Sequence, residues 1–115
     1  MIVVNNKEVQ ACVQQRKEFK TTDESLFGVE CWSGATRRYV VLSYGDHYPL
    51  FIYEWTPDAP DDGAWYENIA PAEEPTNKHR TLAHPLTACT PMGIRDMQLI
   101  ADGGLVYMME HTAKY

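Results

Sequence analysis

Between Thr36 and Asn68, β-branched and aromatic residues gather in runs separated by turn chemistry, and this pattern constrains the fold more than any other feature of the chain. Residues 39–44 read as a strand, 45–48 as a reversal and 49–55 as the returning strand. Pro49 has no N–H for a ladder bond, which places it at the start of its strand or on an edge. Residues 56–63 read as a polar loop rich in Pro, Asp and Gly, and 64–68 return as a third strand. The expected fold class is therefore α+β, an antiparallel β-meander of about four to five strands with one or two packed helices.

The flanks supply the helices. A short strand at 2–4 precedes Asn5, which forms a capping box with Glu8 for a helix over 6–19. Val9, Cys12, Val13, Arg16 and Phe19 fall mainly on one face of it, and a strand pair is the rival reading. Residues 26–32 form a strand ending at Ser33-Gly34. Residues 69–86, with Pro71, Pro75 and Pro85, read as an extended excursion over the sheet. Thr90 and Pro91 start a helix with Ile94, Met97, Ile100 and Ala101 on its buried face; Gly103-Gly104 ends it, and 105–110 form a last strand. Alternation puts Val40, Leu42 and Tyr44 opposite Tyr39, Val41 and Ser43, and Leu50, Ile52 and Glu54 opposite Phe51, Tyr53 and Trp55. One side is then covered by a helix and part of the other is an aromatic surface.

A chain of 115 residues without internal repeats is expected to be a single domain, 1–115. Without a long apolar run or a leader-like start, it is expected in the cytoplasm. Cys12, Cys31 and Cys89 are odd in number and far apart, which fits reduced, mostly buried thiols rather than a disulfide framework. Residues 1–45 hold five acidic and six basic side chains, but 46–115 hold eleven acidic and four basic. Glu54, Asp58, Asp61, Asp62, Glu67, Glu73 and Glu74 occur with no Lys or Arg among them, which disfavours binding of a phosphate backbone there.

The run Tyr39-Val40-Val41-Leu42-Ser43-Tyr44-Gly45-Asp46-His47-Tyr48-Pro49-Leu50-Phe51-Ile52-Tyr53-Glu54 resembles a family of small phage- and plasmid-encoded proteins of uncharacterised function. Those proteins carry a strand, a Ser-Tyr-Gly-x-His-aromatic-Pro turn and a second strand. Trp65-Tyr66-Glu67-Asn68 and Thr76-Asn77-Lys78-His79-Arg80 match the segments that follow, so the resemblance spans about 45 residues. The loop 56–63 is longer and more acidic than the family's, and 70–75 replace a more hydroxyl-rich stretch. The resemblance implies a mobile-element origin, in a host cell, and gives no reaction.

Asp46, His47, His79 and His84 are the residues from which a metal site or proton shuttle would be built, although their spacing matches no metal motif. The plainer reading has His47 bonding backbone in its turn and His79 pinning the excursion to the sheet. Cys31, Cys89, Ser33 and Ser43 lack the flanking motifs of a nucleophile, and no cofactor motif is present. Exposed rings on a sheet stack on single-stranded bases, but that use needs cations, and within the aromatic meander Arg37-Arg38 is the one adjacent Arg/Lys pair, followed by the acidic tract. The favoured reading is a non-enzymatic, counter-defence protein-binding module. It binds a basic surface on a host or defence protein that handles nucleic acid, through Glu54, Trp55, Asp58, Asp61, Asp62, Trp65, Tyr66, Glu67, Glu73 and Glu74. A small metal-dependent or histidine-assisted enzyme is the alternative, and a single-stranded nucleic-acid binder comes third.

Overall fold

The computed structural model of the chain describes residues 1–33, 35–43 and 48–100, apart from the side chain of Ser33. The fold is α+β. Among the described residues seven strands form one sheet and follow sequence order across it: β1 (Ile2–Val4), β2 (Phe19–Thr21), β3 (Leu26–Ser33), β4 (Thr36–Ser43), β5 (Tyr48–Thr56), β6 (Ala59–Asn68) and β7 (Thr90–Met92). Helix α1 (Val9–Gln14) joins β1 to β2, α2 (Glu74–Leu82) joins β6 to β7, and residues 94–100 (α3) are helical after β7.

Strands β2 to β6 are the antiparallel meander, whereas β1/β2 and β6/β7 are parallel pairs. A parallel pair needs a crossover, and a helix supplies each one. Four antiparallel steps leave β6 pointing the same way as β2, and both crossovers step in the same direction along the sheet. Connections of the usual right hand therefore send α1 and α2 to one face. The buried side chains agree: Val9, Cys12 and Val13 of α1 and Ala83 after α2 share a cluster with Phe19, Tyr39, Val41, Phe51 and Tyr53. On the opposite face Met97 of α3 seals Val29, Cys31, Val40, Leu42 and Ile52, with Ile100 and Tyr66 packed alongside. Each fully buried aliphatic or Phe side chain contributes on the order of 2 kcal/mol, so the sheet is anchored from both sides.

Helix α1 is entered through a 3-10 turn at Asn6–Glu8, which carries the expected capping box. The Asn5 side chain accepts from the Lys7 N–H at 3.0 Å, and Glu8 Oε1 accepts from the Asn5 N–H at 3.4 Å. It ends well before residue 19, because Arg16 adopts a left-handed φ of 54° while its N–H and that of Lys17 bond Val13 O and Cys12 O. Phe19, expected on the helix, instead enters β2 and is fully buried beside Gly28. A Cβ at Gly28 would overlap the Phe19 ring and the Tyr39 hydroxyl, which donates to Lys17 O at 2.7 Å.

Other expectations are revised as well. The loop 56–63 is a tight hairpin, because β6 starts at Ala59 and absorbs most of it. The excursion 69–86 contains α2, entered through Pro75 in its first turn. Thr90-Pro91 opens strand β7 rather than a helix, and the helix follows with Met97 fully buried. A register shift between Val41 and Leu42 turns Leu50 to the same face as Phe51, against simple alternation. Expectations for Tyr44, the reversal 45–47, Gly103-Gly104 and the strand 105–110 lie outside the described residues.

Candidate functional site

Tyr39, Tyr53, Trp55 and Trp65 share the sheet face that also carries α1 and α2, lying toward the β5–β6 hairpin, so the aromatic surface is flanked by helices on its own side, and α3 covers the reverse face, where Tyr66 lies. Register sets two rows across this face. Trp32, Arg37 and Trp55 stand opposite one another on β3, β4 and β5; Tyr39, Tyr53 and Trp65 form the next row inward on β4, β5 and β6. Tyr53 lies 5.1 Å from Trp65 and 5.5 Å from Trp55 between ring centroids, and Trp65 meets Tyr39 edge-on. Tyr39 and Tyr53 are buried, Trp55 and Trp65 are half-buried, and Trp32 is 43% exposed with the Arg37 guanidinium 4.3 Å above its ring.

Tyr53 also fixes the hairpin. Its hydroxyl donates to Pro60 O at 2.7 Å and accepts from the Gly63 N–H at 3.0 Å, folding the start of β6 over the ring. Glycine is required at 63, since a Cβ there would overlap Glu54 O and the tyrosine ring. From the end of α1, Arg16 lies 4.4 Å over the Tyr53 ring and donates to Asp61 Oδ1 at 2.9 Å. That is a complete seat for a guanidinium, with a ring beneath and a carboxylate at its rim. Beside it Trp55, Glu54 and Asp62 help line an indentation of about 210 Å³.

The carboxylates expected to form one patch divide among several places. Asp58, Asp61 and Asp62 are exposed on the hairpin. Glu54 accepts from Arg38 Nε at 2.9 Å, and Arg37 approaches Glu30 at 3.8 Å. With Arg16 on Asp61, Asp58 and Asp62 are the hairpin carboxylates that make no ion pair among the described residues. Glu73 and Glu74 sit exposed at the start of α2, past the other end of β6, with Glu74 near Lys78. Tyr66 faces α3 on the reverse of the sheet from Trp65. The hairpin surface thus keeps Trp55, Trp65, Asp58, Asp61 and Asp62 from the expected set. It adds Trp32, Arg16 and Arg37, whose place only the β3–β4 register and the end of α1 reveal.

Among the described histidines, His79 and His84 serve separate sites. His79 Nδ1 lies 2.6 Å from Ser43 Oγ, and burial pushes its imidazole below the ordinary value, with Asp23 opposing. Ser43 has no solvent exposure, so this Ser–His pair is closed to a substrate and ties α2 to β4. Asp46 and His47 lie outside the described residues. His84 follows α2, packs edge-on against Phe51 at 5.4 Å, and points Nε2 at Glu67 Oε2, 3.9 Å away. Cys89, just before β7, brings its sulfur to the same place, so that one donor atom each of Glu67, His84 and Cys89 lies within 4.8 Å of the others. The Leu86 N–H donates to His84 Nδ1 at 2.9 Å, which keeps the neutral ring's proton on Nε2. Such a bond is worth about 1 kcal/mol, and it is made from a Leu86 backbone at φ 59°, a conformation disfavoured for leucine.

The thiols are not primed as nucleophiles. Burial pushes Cys31 up to about 11, and burial together with Glu67 pushes Cys89 up to about 11. Among the described residues no helix is long and apolar enough to cross a membrane. Compared with protein-family models, curated proteins and solved structures, the chain matches none.

Proposed function

We propose that the protein is a non-enzymatic binding module whose β5–β6 hairpin receives a basic side chain from a protein partner. One observation carries the reading. The hairpin holds one filled ring-and-carboxylate seat, Tyr53 with Asp61 occupied by the protein's own Arg16, and beside it an indentation lined by Trp55 and Asp62, where among the described residues no cation lies over the ring and Asp62 makes no ion pair. A guanidinium or ammonium on Trp55 gains about 0.5–2 kcal/mol from the ring, and an exposed carboxylate adds at most about 1 kcal/mol. A micromolar complex needs about 8 kcal/mol, so the indentation selects and orients the partner while contacts along the Trp32–Trp65 face supply the rest. The mobile-element resemblance of residues 39–85 makes a nucleic-acid-handling host defence protein, basic by necessity, a fitting partner. Both hairpin carboxylates without ion pairs argue against a nucleic-acid strand on this surface.

The test is capture of partners from host lysate at low and high salt by the parent chain and by Trp55→Ala and Asp62→Asn. The expected result is a partner retained by the parent at low salt, weakened by salt and lost with Trp55→Ala. No specific partner at either salt, or a partner held equally by both variants, would refute the reading.

A further inference from the structure

We propose that Glu67, His84 and Cys89 form a binding site for one divalent transition-metal ion, and that the ion is zinc. The three donors come from separate segments, β6, the end of the α2 connection and the residue before β7, and meet under the β6–β7 crossover on half-buried side chains. Two of them have little else to hold. The Glu67 carboxylate accepts no hydrogen bond from a described residue, and the Cys89 sulfur reaches only Thr87 O, at 3.5 Å. Zinc with one nitrogen, one oxygen and one sulfur ligand at about 2.0–2.3 Å sets donors roughly 3.3–3.6 Å apart. Glu67 and His84 already stand 3.9 Å apart, and all three donors fall within 4.8 Å, so small side-chain movements close the site. Thiolate with imidazole selects zinc over the oxygen-seeking magnesium and calcium, and three protein ligands leave a fourth position for water.

Binding rearranges protons and one backbone bond. Cys89 releases its thiol proton to solvent as the metal–sulfur bond forms. His84 loses the proton on Nε2 and gains one on Nδ1, so the Leu86 N–H must turn away. That turn lets Leu86 leave its left-handed conformation, so the metal-free loop 84–89 is set one peptide away from a ligating arrangement.

The experiment uses the full chain freed of metal with a chelator. Zinc chloride is titrated in a calorimeter, and cobalt chloride is followed by absorption. One equivalent of zinc should bind, cobalt should give a thiolate-to-metal charge-transfer band, and the Leu86 amide resonance should move. Cys89→Ser should remove the band, and Cys89→Ser or His84→Ala should weaken zinc by more than the roughly 10–100-fold that loss of a supporting partner costs a metal site. Circular dichroism confirms that the variants fold, and Asp58→Asn, remote on the hairpin, should bind as the parent does. The proposal is overturned if the parent takes up no stoichiometric zinc, if cobalt binds without the thiolate band, or if Cys89→Ser binds zinc as tightly as the parent. None of these results depends on the hairpin partner.

Discussion

Replacing Tyr53 with phenylalanine separates the hydroxyl that holds the hairpin from the ring that builds the surface. The ring's neighbours, Trp55 and Trp65 with centroids at 5.5 and 5.1 Å and Arg16 at 4.4 Å, remain available to phenylalanine. What disappears is the donation to Pro60 O at 2.7 Å and the acceptance from Gly63 N at 3.0 Å. Each such bond contributes about 0.5–1.5 kcal/mol net, and because water can reach Pro60 and Gly63 the pair should cost about 1–2 kcal/mol. For a chain of this size that lowers the melting temperature by roughly 4–8 °C. Urea denaturation reads the stability, and amide hydrogen exchange reads the hairpin, where Gly63 should exchange faster while β4 stays protected. A loss under about 0.3 kcal/mol, or unchanged exchange at Gly63, would refute the view that the Tyr53 hydroxyl positions Asp61 and Asp62.

Gly28→Ala forces a methyl group into the Phe19 ring and the Tyr39 hydroxyl and should cost about 1–3 kcal/mol by urea denaturation, with no change expected in zinc uptake. Arg16→Gly relieves a left-handed φ of 54° worth about 1 kcal/mol but loses contacts of similar size, so its stability should stay near the parent's; Arg16→Ala keeps the strain and should fall about 1 kcal/mol below Arg16→Gly. His79 is held below its ordinary value by burial, so the unfolded chain binds this proton more readily. Its contribution is complete above about pH 6.5 and declines as the pH falls from there toward the lowered value; urea midpoints measured across this range should slope down on acidification, and His79→Gln should flatten the slope.

The meander was legible because each strand carries its own period-two pattern and turn residues, and the Asn5–Glu8 capping box was legible because it is local. The parallel outer pairs were not. Residues 2–4 and 90–92 are too short to display a period, and their identity as strands comes from partners 17 and 24 positions away, Phe19 for Ile2 and Tyr66 for Thr90. Helix α2 was obscured by Pro71, Pro75 and Pro85, although Pro75 suits a first helical turn. At the site, composition identified the hairpin acids and tryptophans but not their grouping. Face alternation sends Trp65 and Tyr66 apart, and two arginines, Arg16 and Arg38, neutralise carboxylates, Asp61 and Glu54, that a linear count treats as bare. The Glu67–His84–Cys89 group was hidden for the reason that hid β7: its members meet only after the crossover closes.

That common origin bears on how the two candidate sites relate. Trp65 and Glu67 are successive side chains on one face of β6, about 7 Å apart, and so share a strand. Their supports differ, however. The hairpin is held by Tyr53 and Arg16 from β5 and the end of α1, whereas the metal donors depend on the loop 84–89 and on β7, a three-residue parallel strand that among the described residues pairs with β6 alone. An ion there would clip β7 to β6 and, at a hundredfold excess over its dissociation constant, stabilise the fold by about 2.7 kcal/mol without contributing a group to the hairpin. Trp55→Ala should then abolish partner capture and leave zinc uptake intact, and Cys89→Ser should do the reverse. If Cys89→Ser also releases the partner, β6 transmits the state of the crossover to the hairpin, and metal binding becomes a condition of recognition rather than a neighbour to it.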